Sequence, residues 1–224
     1  MTASVASNLE QVKEQIKLAC EKVGRHPEEV KVVAVTKYVS TERAQEAVAA
    51  GLIHLGENRD EGMTEKYETI SNNATWHFIG TLQTRKVKNI INQASYIHSL
   101  DRLSLAKEIN KRASEPVKCF VQVNVAEEES KHGLSADEVV PFIQALEEYP
   151  NVQVVGLMTM APHTDDEQVL RSCFKDLKKL QQEIQTLNLR YAPCQELSMG
   201  MSNDYQIAIE EGATFIRLGT TLVG

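Results

Sequence analysis

Eight short apolar segments punctuate this chain, and helical patterns separate them. The segments are residues 31–36, 52–55, 75–79, 95–99, 117–125, 152–158, 195–199 and 213–218. The first contains Val32-Val33-Ala34-Val35, a run of small and β-branched residues that reads as a strand buried on both faces. Helical spacing falls between the strands. Residues 59–70 carry Met63, Tyr67 and Ile70, and residues 102–113 carry Leu105, Ala106 and Ile109 behind Asp101 as an N-cap. Residues 135–148 open on Ser135-Ala-Asp-Glu138, a capping box, although Pro141 offers a second start with proline in the first turn. Residues 165–188 bear the longest stripe, from Leu170 to Leu187. Gly51 and Gly212 follow helical runs and suit the left-handed position just past a helix end.

Strict alternation of strand and helix predicts a parallel sheet. Eight strands in 224 residues predict a closed (β/α)8 TIM barrel, with an open doubly wound sheet as the alternative. Residues 4–23 add a helix before the first strand, ended by Gly24 and Pro27. No linker or low-complexity tract divides the chain, so residues 1–224 are expected to form one domain.

Composition narrows the partners. A net charge of −7 argues against a nucleic-acid binder, and the cluster Arg85, Lys86, Lys88 reads as a solvated face. Cys20, Cys119, Cys173 and Cys194 are widely spaced, which predicts no zinc motif and buried thiols suited to a reducing cytoplasm. No apolar run approaches a signal-peptide core or a membrane span.

The polar residues of interest fall where strands end. In a barrel, the C-terminal strand ends and the loops after them carry the site. Lys37 closes the first strand. An amine partly desolvated by strand walls is a nucleophile able to form a Schiff base with an aldehyde. The plain alternative is a lysine that snorkels to water. Ser202 is expected to cap a helix over 203–211, while Gly219, Thr220 and Thr221 follow the last strand. Loops after strands 7 and 8 are the usual phosphate site of such barrels, against the plain alternatives of a cap and a turn. Arg217 lies inside the last strand and needs a partner, either a carboxylate such as Glu196 or Glu57, or a ligand ring nitrogen. His77 reads as a satisfied core histidine or, with Asn58, as a pocket wall. A Schiff-base lysine facing a phosphate site across the barrel mouth calls for a ligand with an aldehyde and a phosphate. Pyridoxal 5′-phosphate (PLP) and a phosphorylated sugar aldehyde both qualify.

A set of stretches then carries a family resemblance. They are Val35-Thr36-Lys37, His54-Leu55-Gly56-Glu57-Asn58, Trp76-His77-Phe78-Ile79-Gly80-Thr81-Leu82-Gln83, Val123-Asn124-Val125 with Lys131 and Gly133, Gly156-Leu157-Met158, Leu197-Ser198-Met199-Gly200-Met201-Ser202-Asn203-Asp204 and Ile216-Arg217-Leu218-Gly219-Thr220. In this order they resemble the pyridoxal phosphate homeostasis proteins, single barrels of PLP fold type III similar to the N-terminal domain of alanine racemase. The resemblance implies that Lys37 forms the Schiff base with PLP and Arg217 faces the pyridine nitrogen. It implies phosphate contacts from Ser202, Gly219 and Thr220, and pocket positions at Asn58, His77, Met158, Ser198 and Met199. Two departures are Thr36 where many relatives have serine, and an end at Gly224 where relatives often run further.

The resemblance also bears on turnover. An arginine cannot readily protonate the ring nitrogen, so the ring is a weak electron sink. Racemases tolerate this but need a second base, which alanine racemase takes from a domain after its barrel. The expectation is a cytoplasmic, monomeric carrier or regulator that serves PLP-dependent apo-enzymes, with a weak amino-acid racemase or a Schiff-base aldolase as alternatives.

Overall fold

A computed structural model describes residues 4–126 and 132–224; Lys131 of the quoted stretches lies outside them. The elements run α1 (Val5–Lys22), β1 (Lys31–Val35), α2 (Thr41–Ala49), β2 (His54–Glu57), α3 (Asp60–Ile70), β3 (Thr75–Phe78), α4 (Val87–Ile90), β4 (Tyr96–Leu100), α5 (Leu103–Arg112), β5 (Val117–Gln122), α6 (Ala136–Ala145), β6 (Val152–Met158), α7 (Glu167–Thr186), β7 (Glu196–Ser198), α8 (Tyr205–Glu210), β8 (Phe215–Leu218) and α9 (Thr220–Val223). The eight strands pair in sequence order, all parallel, and β8 returns to β1. The closed barrel is therefore the architecture, and the open sheet is set aside.

Closure explains the strand composition. Alternate residues of each strand face a small interior or an outer layer of helices. Val33, Phe120, Val155, Met158 and Phe215 form the inner cluster, with Tyr96 packed against it. Leu55, Ile97, Val121, Leu157 and Leu218 belong to the larger outer core, with the apolar stripes of the helices. Helix α1 packs on α8 and α9 and buries Val5, Leu9, Val12 and Ile16. At about 1.5–3 kcal/mol for each such side chain, docking outweighs the weak intrinsic stability of an isolated helix.

Local signals were realised with some differences. Gly51 and Gly212 adopt φ of 96° and 109° after α2 and α8. The Ser135–Glu138 box forms, and Pro141 lies inside α6 rather than starting it: the box already satisfies the first turn, so the missing Pro141 N–H costs only one bond further along. Helix α5 begins one residue later than expected, and Asp101 bonds the Arg102 side chain at 2.5 Å instead of capping. Likewise, Ser202 does not cap the helix after β7. That helix starts at Tyr205 with Asp204 at its N-cap position, because the Asp204 carboxylate turns back to accept the Met201 N–H at 2.6 Å.

Candidate functional site

The C-terminal strand ends surround a cavity of about 1020 Å³. Lys37, Asn58, Ser202, Arg217, Gly219 and Thr220 all line it. Four other expected pocket residues do not. His77, Met158 and Ser198 sit beneath it in the buried barrel, and Met199 packs in the outer core. Strand alternation accounts for the split, because Ser198 and Met199 are successive residues and must face opposite ways.

Lys37 and the loops after β7 and β8 are neighbours rather than opposites. Barrel closure pairs Val33 with Arg217 and Ala34 with Leu218, so the first and last strands run side by side. The expected separation across the barrel diameter is thereby corrected. Lys37 is also exposed, with its amine 4.9 Å from the Tyr38 ring centroid. The strand walls do not desolvate it; the open mouth leaves the amine accessible.

What holds Lys37 in place lies behind the strand. Thr36 is buried, and its hydroxyl donates to Glu57 Oε1 at 2.6 Å. Lys66 on α3 bridges Glu57 Oε1 at 2.8 Å and the Thr36 carbonyl at 3.0 Å. This buried ion pair anchors the peptide that joins Thr36 to Lys37. Sequence reasoning missed Lys66, because a helical lysine gives no sign of facing inward.

On the other side, Thr220 Oγ1 donates to Ser202 Oγ at 3.4 Å, which sets two hydroxyls together at the rim. Gly219 lines the cavity beside them with φ of −105°. A Cβ there would meet only Val35, at 3.7 Å. Protein packing thus does not demand glycine, and the space lies open to the cavity. Arg43 on α2 ties down the following helix by donating to the Val223 carbonyl at 3.1 Å and the Gly224 carbonyl at 3.3 Å.

Arg217 forms part of the cavity wall but is otherwise buried. Neither carboxylate considered as its partner is available: Glu57 pairs with Lys66, and Glu196 pairs with Lys31 at 2.7 Å. Its Nη1 donates instead to Ser198 Oγ at 2.7 Å, and its Nη2 to the Thr159 carbonyl at 2.9 Å. Burial brings its guanidinium down to about 10, opposed by the Asp204 carboxylate. It therefore stays cationic at neutral pH.

Beneath Arg217 three imidazoles line up. His98 Nδ1 lies 2.9 Å from Ser198 Oγ, His77 Nδ1 lies 2.8 Å from His98 Nε2, and His54 Nδ1 lies 2.9 Å from His77 Nε2. Burial pushes all three below the usual histidine range, His77 and His98 far below. His54 and His98 were not singled out from sequence. The available signal was three histidines within apolar strand segments, 23 and 21 residues apart. Among the described residues, no cluster of three or more His, Cys, Asp or Glu is arranged to hold a metal. Nor is any described helix long and apolar enough to cross a membrane.

An eight-stranded parallel barrel with an accessible lysine just beyond β1, a buried arginine in β8 and hydroxyls beside a glycine at the rim defines an alanine-racemase-type barrel. The sequence matches the family described as "Alanine racemase, N-terminal domain" over residues 7–224. It is 40% identical to the pyridoxal phosphate homeostasis protein of Aquifex aeolicus over 225 residues, covering 99% of this chain and 98% of the relative. The chain belongs to the pyridoxal phosphate homeostasis protein family. Its fold is similar to that of PipY from Synechococcus elongatus PCC7942, solved with PLP bound, at a TM-score of 0.86 and 29% identity, covering 98% and 100% of the two chains. Alanine racemase of Clostridium difficile 630 shares the fold alone, with a TM-score of 0.77 and 16% identity, over 98% of this chain and 56% of that one.

Proposed function

We propose that this protein binds pyridoxal 5′-phosphate in the β1/β8 cavity and acts as a carrier or regulator of the cofactor, delivering it to apo-enzymes. The observation that carries this reading is the convergence of Lys37, Arg217, Ser202, Gly219 and Thr220 on one cavity wall. The donor set fits the ligand: an amine for an aldehyde, hydroxyls and an open glycine for a phosphate, and a guanidinium for a ring nitrogen. Bound there, PLP supplies an aldehyde for the amine and a ring that takes up electron density. The chain's own residues orient it. Arg217 presents only donors, Ser202 and Thr220 offer hydroxyls, and Thr36 with Lys66 and Glu57 fixes the approach of Lys37.

The open mouth supports a carrier over a catalyst. Exclusion of water favours turnover, whereas exposed Lys37 and Tyr38 leave the site accessible. A racemase also needs a base on the opposite side from the lysine. Tyr38 lies beside the Lys37 amine, and Tyr205 is buried in the outer core, where burial pushes its phenol up. Four buried cysteines, none of them in a disulfide, suit a reducing compartment such as the cytoplasm. A monomer completes the reading, and light scattering checks it.

The test is an absorption spectrum after incubation with PLP. A band near ~420 nm that borohydride bleaches, with the stable adduct mapped to Lys37, is the expected result. No band, or a label spread over surface lysines, overturns the site. Multiple-turnover racemisation above free cofactor would overturn the carrier reading while leaving the site intact.

A further inference from the structure

The buried histidines have a direction that follows from the donors around them. Arg217 can only donate, and its Nη1–H occupies one lone pair of Ser198 Oγ. Among the described residues, the remaining partner of that hydroxyl is His98 Nδ1. The Ser198 proton must go there, since a buried hydroxyl proton left without an acceptor is costly. His98 then carries its proton on Nε2 and donates to His77 Nδ1, and His77 donates from Nε2 to His54 Nδ1. Each ring inherits its tautomer from the one above.

Packing closes the other options. Tyr96 stacks on His77 at 4.5 Å and 1°, and Phe120 on His98 at 4.4 Å and 29°. Ring faces are thus covered, and only nitrogen edges remain to bond. At the floor of the barrel, half-buried His54 lies near Lys31 and Lys118, whose charges oppose an extra proton on its ring. Lys31 in turn is held by Glu196 and by the Phe215 ring, 4.6 Å away, and Lys118 by Tyr96, 5.2 Å away. A cation at each end keeps the middle neutral.

We propose that Ser198, His98, His77 and His54 are positioning residues for Arg217: a one-directional hydrogen-bond chain, all three imidazoles neutral and protonated on Nε2, that runs from barrel floor to mouth and holds the guanidinium as a fixed donor toward the cavity. With Thr159, the chain fixes the Arg217 plane, so the atom it meets must be an acceptor. This consequence for the ligand rests on the PLP reading above; the chain itself does not.

Two measurements on the full-length protein test it. The first uses 15N-histidine-labelled wild type without ligand. The expected spectrum shows His54, His77 and His98 each with a protonated Nε2 and a bare Nδ1 at pH 7.5 or above, and an Nδ1–H or cationic form at His77 or His98 overturns the proposal. The second is PLP affinity by equilibrium titration. Ser198→Ala and His77→Phe, neither of which touches the cavity, are expected to weaken binding about tenfold, the equivalent of about one charge-assisted hydrogen bond. Ser198→Thr, which keeps the hydroxyl, is expected to restore it. Affinity unchanged in a folded Ser198→Ala, or not restored by Ser198→Thr, overturns the positioning role. If His77→Phe does not fold, the wild-type tautomers still decide. Failure of wild type to bind PLP, with the tautomers as expected, overturns the ligand reading and not the chain.

Discussion

Lys66→Met isolates the buried pair behind Lys37. Lys66 and Glu57 side chains are 7% and 1% exposed, with 2.8 Å between charged atoms. Methionine retains most of the aliphatic stem, so packing changes little. The charge on Glu57 is then left with the Thr36 hydroxyl at 2.6 Å and no cation. Removing one partner of a buried pair costs about 3–5 kcal/mol. A domain holds only about 5–15 kcal/mol in total, and at this size each kcal/mol is worth about 2–4 °C. A drop of roughly 6–20 °C in Tm is therefore expected, with a matching fall in the urea midpoint at unchanged slope. The double variant Glu57→Gln with Lys66→Met removes the stranded charge as well, and it should return to within about 1–2 kcal/mol of wild type. Lys66→Met should also slow cofactor uptake at Lys37, because the Thr36 carbonyl loses its anchor. Loss below about 1 kcal/mol in Lys66→Met, or a double variant as unstable as the single, would refute the account.

Buried neutral histidines predict a pH dependence of stability. Burial first, then the adjoining histidine and the nearby lysine or arginine charges, depresses His77 and His98. The unfolded chain takes up protons below about pH 6.5 that the folded chain refuses, so stability is full above that pH and is lost as pH falls. The loss is expected to grow as pH is lowered from 7 to 5. Urea midpoints measure it, and His77 or His98 ring resonances titrating near 6.5 would contradict it. Gly219→Ala separates packing from binding. With φ of −105° and only Val35 at 3.7 Å, alanine should change stability by no more than about 1 kcal/mol, yet PLP affinity should fall because the methyl enters the cavity. A fall in both, or in neither, contradicts the open-cradle reading.

Some of this protein was legible from its residues and some was not. All eight strands appear in order, since a strand buried on both faces must be written in consecutive apolar residues. The N-terminal helix, the capping box at Ser135 and the glycines at 51 and 212 are equally local, because each is set by neighbours within a turn. The cavity members Lys37, Asn58, Ser202, Arg217, Gly219 and Thr220 could be anticipated because parallel barrels place strand ends at one mouth. The partners of these residues could not. That Glu57 would pair with Lys66 and Glu196 with Lys31, leaving Arg217 to a serine and a carbonyl, depends on inward or outward facing and on which strands become neighbours. The same holds for Lys37 standing beside β8, and for His54, His77 and His98 meeting edge to edge. Periodicity along the chain determines which residues are buried. Closure of the barrel decides which buried residues touch, because it brings together strands far apart in sequence and sets their heights by the stagger of the sheet.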